Sequence, residues 1–251
     1  MLTLALCLFL VISFSEGLHI GNYYPEKGRF KQQLLSRGEE PQELLQTEIQ
    51  DTVPEIIKET VISPDTTVRS VLIFGDSMTH NLGMSIAKYG SKNNYKVTSV
   101  SWESSSILAW ANSDKISQYI AMSKPDFIFI SLGSNEVGLK NFEARIPQIK
   151  KIIDKIGDIP YIWVGPPLWK KDDGLYPLIE KNIGDGRFFS TGNLELERGP
   201  DHVHPTRKGA DTWADTLMRW QLKGFHPLLA EKPDSTSSTK GSKFIYLHPD
   251  E

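Results

Sequence analysis

Cysteine is nearly absent from this chain, basic charge is not in excess, and no apolar run is long enough to span a bilayer comfortably. Cys7 is the only cysteine among 251 residues, and it lies inside an apolar N-terminal stretch, residues 2–14. With that stretch removed the chain has no thiol at all, which excludes disulfides, thiol catalysis and cysteine-held metal. Lys and Arg total 28 against 31 Asp and Glu, a formal charge of -3. No Lys/Arg-rich tract offsets this, so nucleic acid is not an expected partner. The apolar stretch is short for a membrane helix and has the texture of a secretory h-region, with Ser15 and Gly17 as small residues after it. Its n-region lacks Lys and Arg. Residues 1–17 are therefore expected to be a signal peptide, and the protein to be secreted or periplasmic without an integral membrane span.

Residues 18–67 are polar, rich in Glu and Gln, and interrupted by Pro25, Pro41, Pro54 and Pro64. They read as an N-terminal extension with no core strand. From residue 68 strand and helix signals alternate. Strands are expected at 68–75, 96–102, 126–132, 161–165 and 187–190, and helices at 78–93, 107–123, 141–156, 175–182 and 206–223. In 141–156 the residues Phe142, Ile146, Ile149, Ile152, Ile153 and Ile156 recur at helical spacing. Such alternation implies an α/β domain over 68–224, a parallel sheet of about five strands with right-handed crossovers and helices on both faces. The centre of 225–251 is rich in Ser, Thr and Lys, and this segment is expected to be a flexible C-terminal tail.

Three stretches could carry chemistry. In VLIFGDSMT, residues 71–79, an apolar strand signal stops at Gly75-Asp76-Ser77 and a helix signal follows. Ser77 thus falls at a strand's carboxyl end and a helix's amino end, where α/β sheets bind ligands, though a serine there also makes an ordinary helix cap. FIFISLGSNE, residues 127–136, repeats that pattern and puts Asn135 where an amide could donate to an oxyanion or merely satisfy its own turn. In GPDHVHPTRKGADTW, Asp201 and His204 are two residues apart before the last helix, so one loop can present a carboxylate and an imidazole together. His202 lies between them. A His-x-His pair can also hold metal, but no third ligand stands at a recognisable spacing.

Taken in order, Ser77 in GDSM, Asn135 in GSNE, and Asp201 with His204 in DHVH resemble the SGNH/GDSL hydrolase superfamily over about residues 68–223. The resemblance implies a flavodoxin-like three-layer α/β/α sandwich and a serine esterase that needs no metal or other cofactor. Ser77 would be the nucleophile, His204 the base and Asp201 its orienting carboxylate, with the Ser77 N–H and the Asn135 side chain in the oxyanion hole. The family's second block usually contributes a glycine N–H. Here the corresponding stretch, SVSWESSSILAW, has no glycine, and Ser104 or Ser105 is the expected donor. The chain also lacks a G-x-S-x-G elbow around Ser77. Trp102 and Trp169, after the second and fourth strands, could stack on a sugar or simply pack. The expected substrate is an O-acetyl group on a carbohydrate or cell-envelope polymer. A lipase-like esterase, an acyltransferase using the same acyl-enzyme and a noncatalytic glycan-binding module are the alternatives.

Overall fold

The computed structural model describes residues 63–172 and 174–250. The expected signal peptide and nearly all of the polar extension lie outside the described residues. Six strands form one sheet: β1 Ser70–Gly75, β2 Lys96–Trp102, β3 Phe127–Ser131, β4 Tyr161–Val164, β5 Phe188–Phe189 and β6 Lys243–Leu247. Their order is β5-β4-β3-β1-β2-β6, and every pairing is parallel. The first five follow the flavodoxin-like order 2-1-3-4-5. Winding reverses at β1, with β2 on one side of it and β3 on the other, so a crevice opens beyond the carboxyl ends of β1 and β3.

Strands buried on both faces must be apolar at every position, and β1 shows why VLIF became the centre of the sheet. Leu72 and Phe74 join one core, while Val71 and Ile73 join the other. The first core lies under helices α2 Ile107–Asn112, α3 Lys115–Ser123, α4 Ile146–Ile156 and α5 Leu175–Ile183. The second lies under α1 Thr79–Asn93 and α6 Arg207–Gln221. Burying each large side chain contributes about 1.5–3 kcal/mol, so the two cores fix the sheet between them. The result is the three-layer α/β/α sandwich. Among the described residues no helix is long and apolar enough to cross a membrane.

Two expected helices differ in detail. The 107–123 segment is two helices broken at Ser113-Asp114, where the Ser113 hydroxyl donates to the Trp110 carbonyl at 3.2 Å. Ser and Asp compete with the helix for backbone groups, and here they win. The 141–156 segment opens with a 3-10 turn, Phe142–Arg145, before α4 starts with Pro147 in its first turn.

The C-terminal expectation is corrected more deeply. Residues 243–247, KFIYL, form β6 on the open edge of β2, in register Thr98↔Lys243 through Trp102↔Leu247. Leu228 is fully buried, and the Gln221 amide holds its N–H and its carbonyl at 2.6 and 3.0 Å. The segment after residue 225 is thus folded onto the domain, and the sheet has six strands rather than five. The polar composition of 234–243 masked a short β-prone run immediately beyond it.

Candidate active site

Gly75 ends β1 where the backbone of β3 comes close. A Cβ there would lie 1.8 Å from the Ser131 carbonyl oxygen, so no other residue fits. The chain then turns through Asp76 and Ser77 into α1. Ser77 is half-buried, and its Oγ lies 2.9 Å from His204 Nε2. His204 Nδ1 lies 2.7 Å from Asp201 Oδ2. Asp201 Oδ1 accepts from the backbone N–H groups of Val203 and His204 at 2.9 and 3.0 Å, which fixes the carboxylate against its own loop. The hydrogen bond from the His204 ring, then those two N–H groups, hold the Asp201 carboxyl well below the usual carboxylate range. It therefore stays ionised beside the imidazole and favours the tautomer with a proton on Nδ1, leaving Nε2 free to accept from Ser77.

The loop that carries Asp201 and His204 is anchored from three sides. Arg198 donates to the carbonyls of Pro167 and Leu168 at 3.1 and 3.0 Å, and also to the Val203 carbonyl. The Asn81 amide of α1 donates to the Pro205 carbonyl at 2.9 Å. Thr206 caps α6, its hydroxyl accepting from the Gly209 N–H at 3.1 Å. Arg198 and Asn81 were not singled out in the sequence. Nothing in their local spacing marks a long-range brace.

Asp76 ties the first block to the third. It is fully buried, and its Oδ2 accepts from the Ser134 N–H at 3.1 Å and the Ser134 hydroxyl at 2.7 Å. Its Oδ1 accepts from the Met78 N–H at 3.0 Å. Burial pushes the Asp76 carboxyl up to about 6 despite these donors. Because Asp76 precedes Ser77 and Ser134 precedes Asn135, this contact sets the two loops side by side. The third block in turn grips the second. The Asn135 amide donates to the Ser105 carbonyl at 2.7 Å, and Glu136 Oε1 accepts from the Ile107 N–H at 2.9 Å. Glu136 is fully buried, its Oε2 has no partner among the described residues, and burial pushes its carboxyl up to about 7.

Asn135 is itself exposed and retains a second amide hydrogen after the bond to Ser105. Ser104 and Ser105, the alternatives in the second block, are in different situations. The Ser105 N–H already donates to the Trp102 carbonyl at 3.3 Å, and its hydroxyl bridges the same carbonyl and the Trp110 indole N–H. Ser104 is exposed, and its N–H has no hydrogen bond among the described residues. Its φ of 57° lies in the left-handed region that favours glycine. Of the two, Ser104 is the residue with a backbone conformation that glycine favours.

Of the two alternatives open for the tryptophans, stacking on a sugar or packing, the structure places both rings in packing positions. Trp102 is buried in the core against Trp110, with centroids 5.5 Å apart, and its indole N–H donates to the His248 carbonyl at 2.9 Å. Trp169 is half-buried against the opposite core and does not line the cleft. An apolar ring following a strand packs unless something holds it out. His202 is exposed, with a φ of 57°. Among the described residues no group of three or more His, Cys, Asp or Glu is placed to hold a metal ion.

The Ser77–His204 pair opens into a cleft of about 350 Å³. Its walls come from the start of α1 (Met78, His80), the end of β2 (Ser101, Glu103) and the last strand (Tyr246, with Leu247 and His248).

No protein-family model matches this chain, and no curated protein matches it. Solved structures with a similar chain path include LAE5, an alpha/beta hydrolase enzyme from the metagenome of Lake Arreo, Spain. That match has 12% identity and a TM-score of 0.48, and covers 61% of this chain and 94% of that one. A second is a protein of the G-D-S-L family from Desulfitobacterium hafniense DCB-2, described as lipolytic, at 19% identity and a TM-score of 0.41, covering 61% and 99%. Neither likeness bears on the chemistry, which rests on the side chains described above.

Proposed function

We propose that this protein is an SGNH/GDSL-like serine ester hydrolase. The observation that carries the reading is the unbroken chain from Ser77 Oγ to His204 Nε2, 2.9 Å, and from His204 Nδ1 to Asp201 Oδ2, 2.7 Å. In this reading Ser77 Oγ attacks the ester carbonyl carbon while His204 Nε2 takes its proton. The imidazolium then delivers that proton to the departing alkoxide as the bond from the carbonyl carbon to the alkoxy oxygen breaks, so the alcohol leaves and the acyl group stays on Ser77 as an ester. Water, deprotonated by the same nitrogen, attacks the acyl carbonyl, and Ser77 regains its proton as the acid departs. Asp201 stabilises the imidazolium without accepting its proton. The Ser77 N–H, the second Asn135 amide hydrogen and the Ser104 N–H are the oxyanion donors.

The finer substrate is an O-acetyl group on a carbohydrate or cell-envelope polymer, reached by an exported protein. The half-exposed site supports a bulky alcohol moiety, since the His204 and Asp201 side chains are 43% and 51% exposed. The N-terminal apolar stretch supports export. The test is steady-state hydrolysis of 4-nitrophenyl acetate by the native protein and by Ser77→Ala. A loss of about 10⁴-fold or more is expected. Equal rates for the two proteins would overturn the reading.

A further inference from the structure

Resting on that esterase reading, we infer that the exposed ring of Tyr246, with Glu103 and His248 at its side, is the subsite that takes the sugar ring of the leaving alcohol. Tyr246 lies on β6, paired with Ser101 of β2, and lines the same cleft as Ser77. Its side of the strand faces the start of α1, where the His80 ring lies 4.6 Å away, tilted by 47°. Tyr246 is 46% exposed, one of three large apolar side chains left exposed among the described residues. Leu108 and Met122, the other two, do not line the cleft. An aromatic ring held half in water beside a nucleophile is a surface still open for burial.

The groups around that ring select its ligand. The Glu103 carboxylate is 62% exposed, and the His248 ring, 3.9 Å from it, is 77% exposed. Both line the cleft with Tyr246. A pyranose has an apolar C–H face, which packs on an aromatic ring, and a rim of hydroxyls, which need hydrogen-bond partners. Tyr246 supplies the first requirement, and the carboxylate with its neighbouring imidazole supplies the second. A long acyl chain laid along the same wall would strip water from Glu103 and His248 and give no hydrogen bond in return. The cleft chemistry therefore favours a polyhydroxylated alcohol over a fatty chain.

The experiment compares acetate release from methyl 6-O-acetylglucoside, which keeps its ring hydroxyls free, and from ethyl acetate, which has no ring to stack. In the native protein kcat/KM is expected to favour the glucoside. Tyr246→Ala is expected to reduce that preference by about tenfold, mostly through KM, and Tyr246→Phe to keep it, because the ring is retained. Glu103→Gln should reduce it by about threefold, since an amide accepts hydroxyl hydrogen bonds less strongly than a carboxylate. An unchanged preference in Tyr246→Ala would overturn the inference. So would a change confined to the ratio of ethyl butyrate to ethyl acetate, which would make Tyr246 an acyl-chain wall. Calorimetric titration of the acetylated glucoside into Ser77→Ala, with and without Tyr246→Ala, reads the subsite apart from catalysis. Tyrosine-dependent binding supports the subsite even if the native protein turns over no ester, in which case only the esterase reading fails. No binding, or binding indifferent to Tyr246, defeats the subsite.

Discussion

Asp76 Oδ2 accepts both hydrogen bonds that Ser134 can offer, from its N–H at 3.1 Å and its hydroxyl at 2.7 Å, with the carboxylate fully buried. That contact locks the loop bearing Ser77 to the loop bearing Asn135. Ser134→Ala removes one of the donors and leaves a buried carboxylate undersatisfied, at a cost of about 1–3 kcal/mol. Thermal unfolding should show a midpoint several degrees lower, and kcat should fall while KM stays close to native. A variant with native kcat and native midpoint would show that the two loops hold position without this brace.

The pH dependence of stability follows from the two buried carboxyls. Asp76 is pushed up to about 6 and Glu136 to about 7, both by burial. A carboxyl whose folded pKa exceeds its unfolded value binds more protons in the folded state, so its contribution is full at low pH and is lost as pH rises through the folded pKa. Asp201, held low, works in the opposite sense and loses its contribution only as pH falls. Between about pH 5 and the folded values of about 6 and about 7 the Asp76 and Glu136 effect should dominate, and the melting temperature should fall as pH rises, then level off. Glu136→Gln should flatten the decline. Its check is a calorimetric pH series on both proteins; a midpoint rising through this window would contradict the assignment.

The histidines separate by geometry. His204→Ala should abolish esterase turnover, by about 10⁴-fold or more, because the ring on Ser77 is lost. His202→Ala should leave most of it, since that side chain is exposed and has no hydrogen bond to Ser77 or Asp201. A chelator should not change the rate. Loss on chelation that zinc restores would favour a metal-dependent reaction instead.

Ser104 and Ser105 should respond to substitution in different ways. Ser104→Gly should be tolerated or mildly stabilising, because glycine adopts a φ of 57° without the Cβ penalty. Ser104→Pro deletes the N–H and cannot adopt that φ, so kcat should fall by about 100-fold. Ser105→Ala should instead lower stability by about 1–3 kcal/mol, because the Trp110 indole N–H loses its buried acceptor. Kinetics paired with thermal melts distinguish the two. A Ser104→Pro protein with native melt and native kcat would remove the second block from the oxyanion hole.

Much of this was legible because parallel strands announce themselves. Runs such as VLIF and FIFI must be apolar at every position to sit between two helical layers, and the residue following each run then falls at the crevice. This is why Ser77 and Asn135 could be placed at strand ends, while their roles and those of Asp201 and His204 came from the family resemblance; Ser77, His204 and Asp201 stand in one hydrogen-bonded chain. What stayed hidden depends on distance along the chain. Arg198 bracing the Pro167 and Leu168 carbonyls, and Asn81 bracing Pro205, leave no periodic trace. β6 was hidden differently. Five residues suffice for an edge strand, and their signal was diluted by the polar stretch before them. The tryptophans show the remaining limit: sequence places a ring beyond a strand, but packing decides whether it faces solvent.

The central claim is that Ser77 becomes acylated through His204. Intact-protein mass spectrometry after brief exposure to a fluorophosphonate, with peptide mapping, tests it most directly. A single adduct on Ser77 is expected in the native protein, formed far more slowly in His204→Ala and absent in Ser77→Ala. A pre-steady-state burst of 4-nitrophenol should be no larger than the fraction of protein that labels. An adduct on another residue, or none on a folded protein that still hydrolyses the ester, would contradict it.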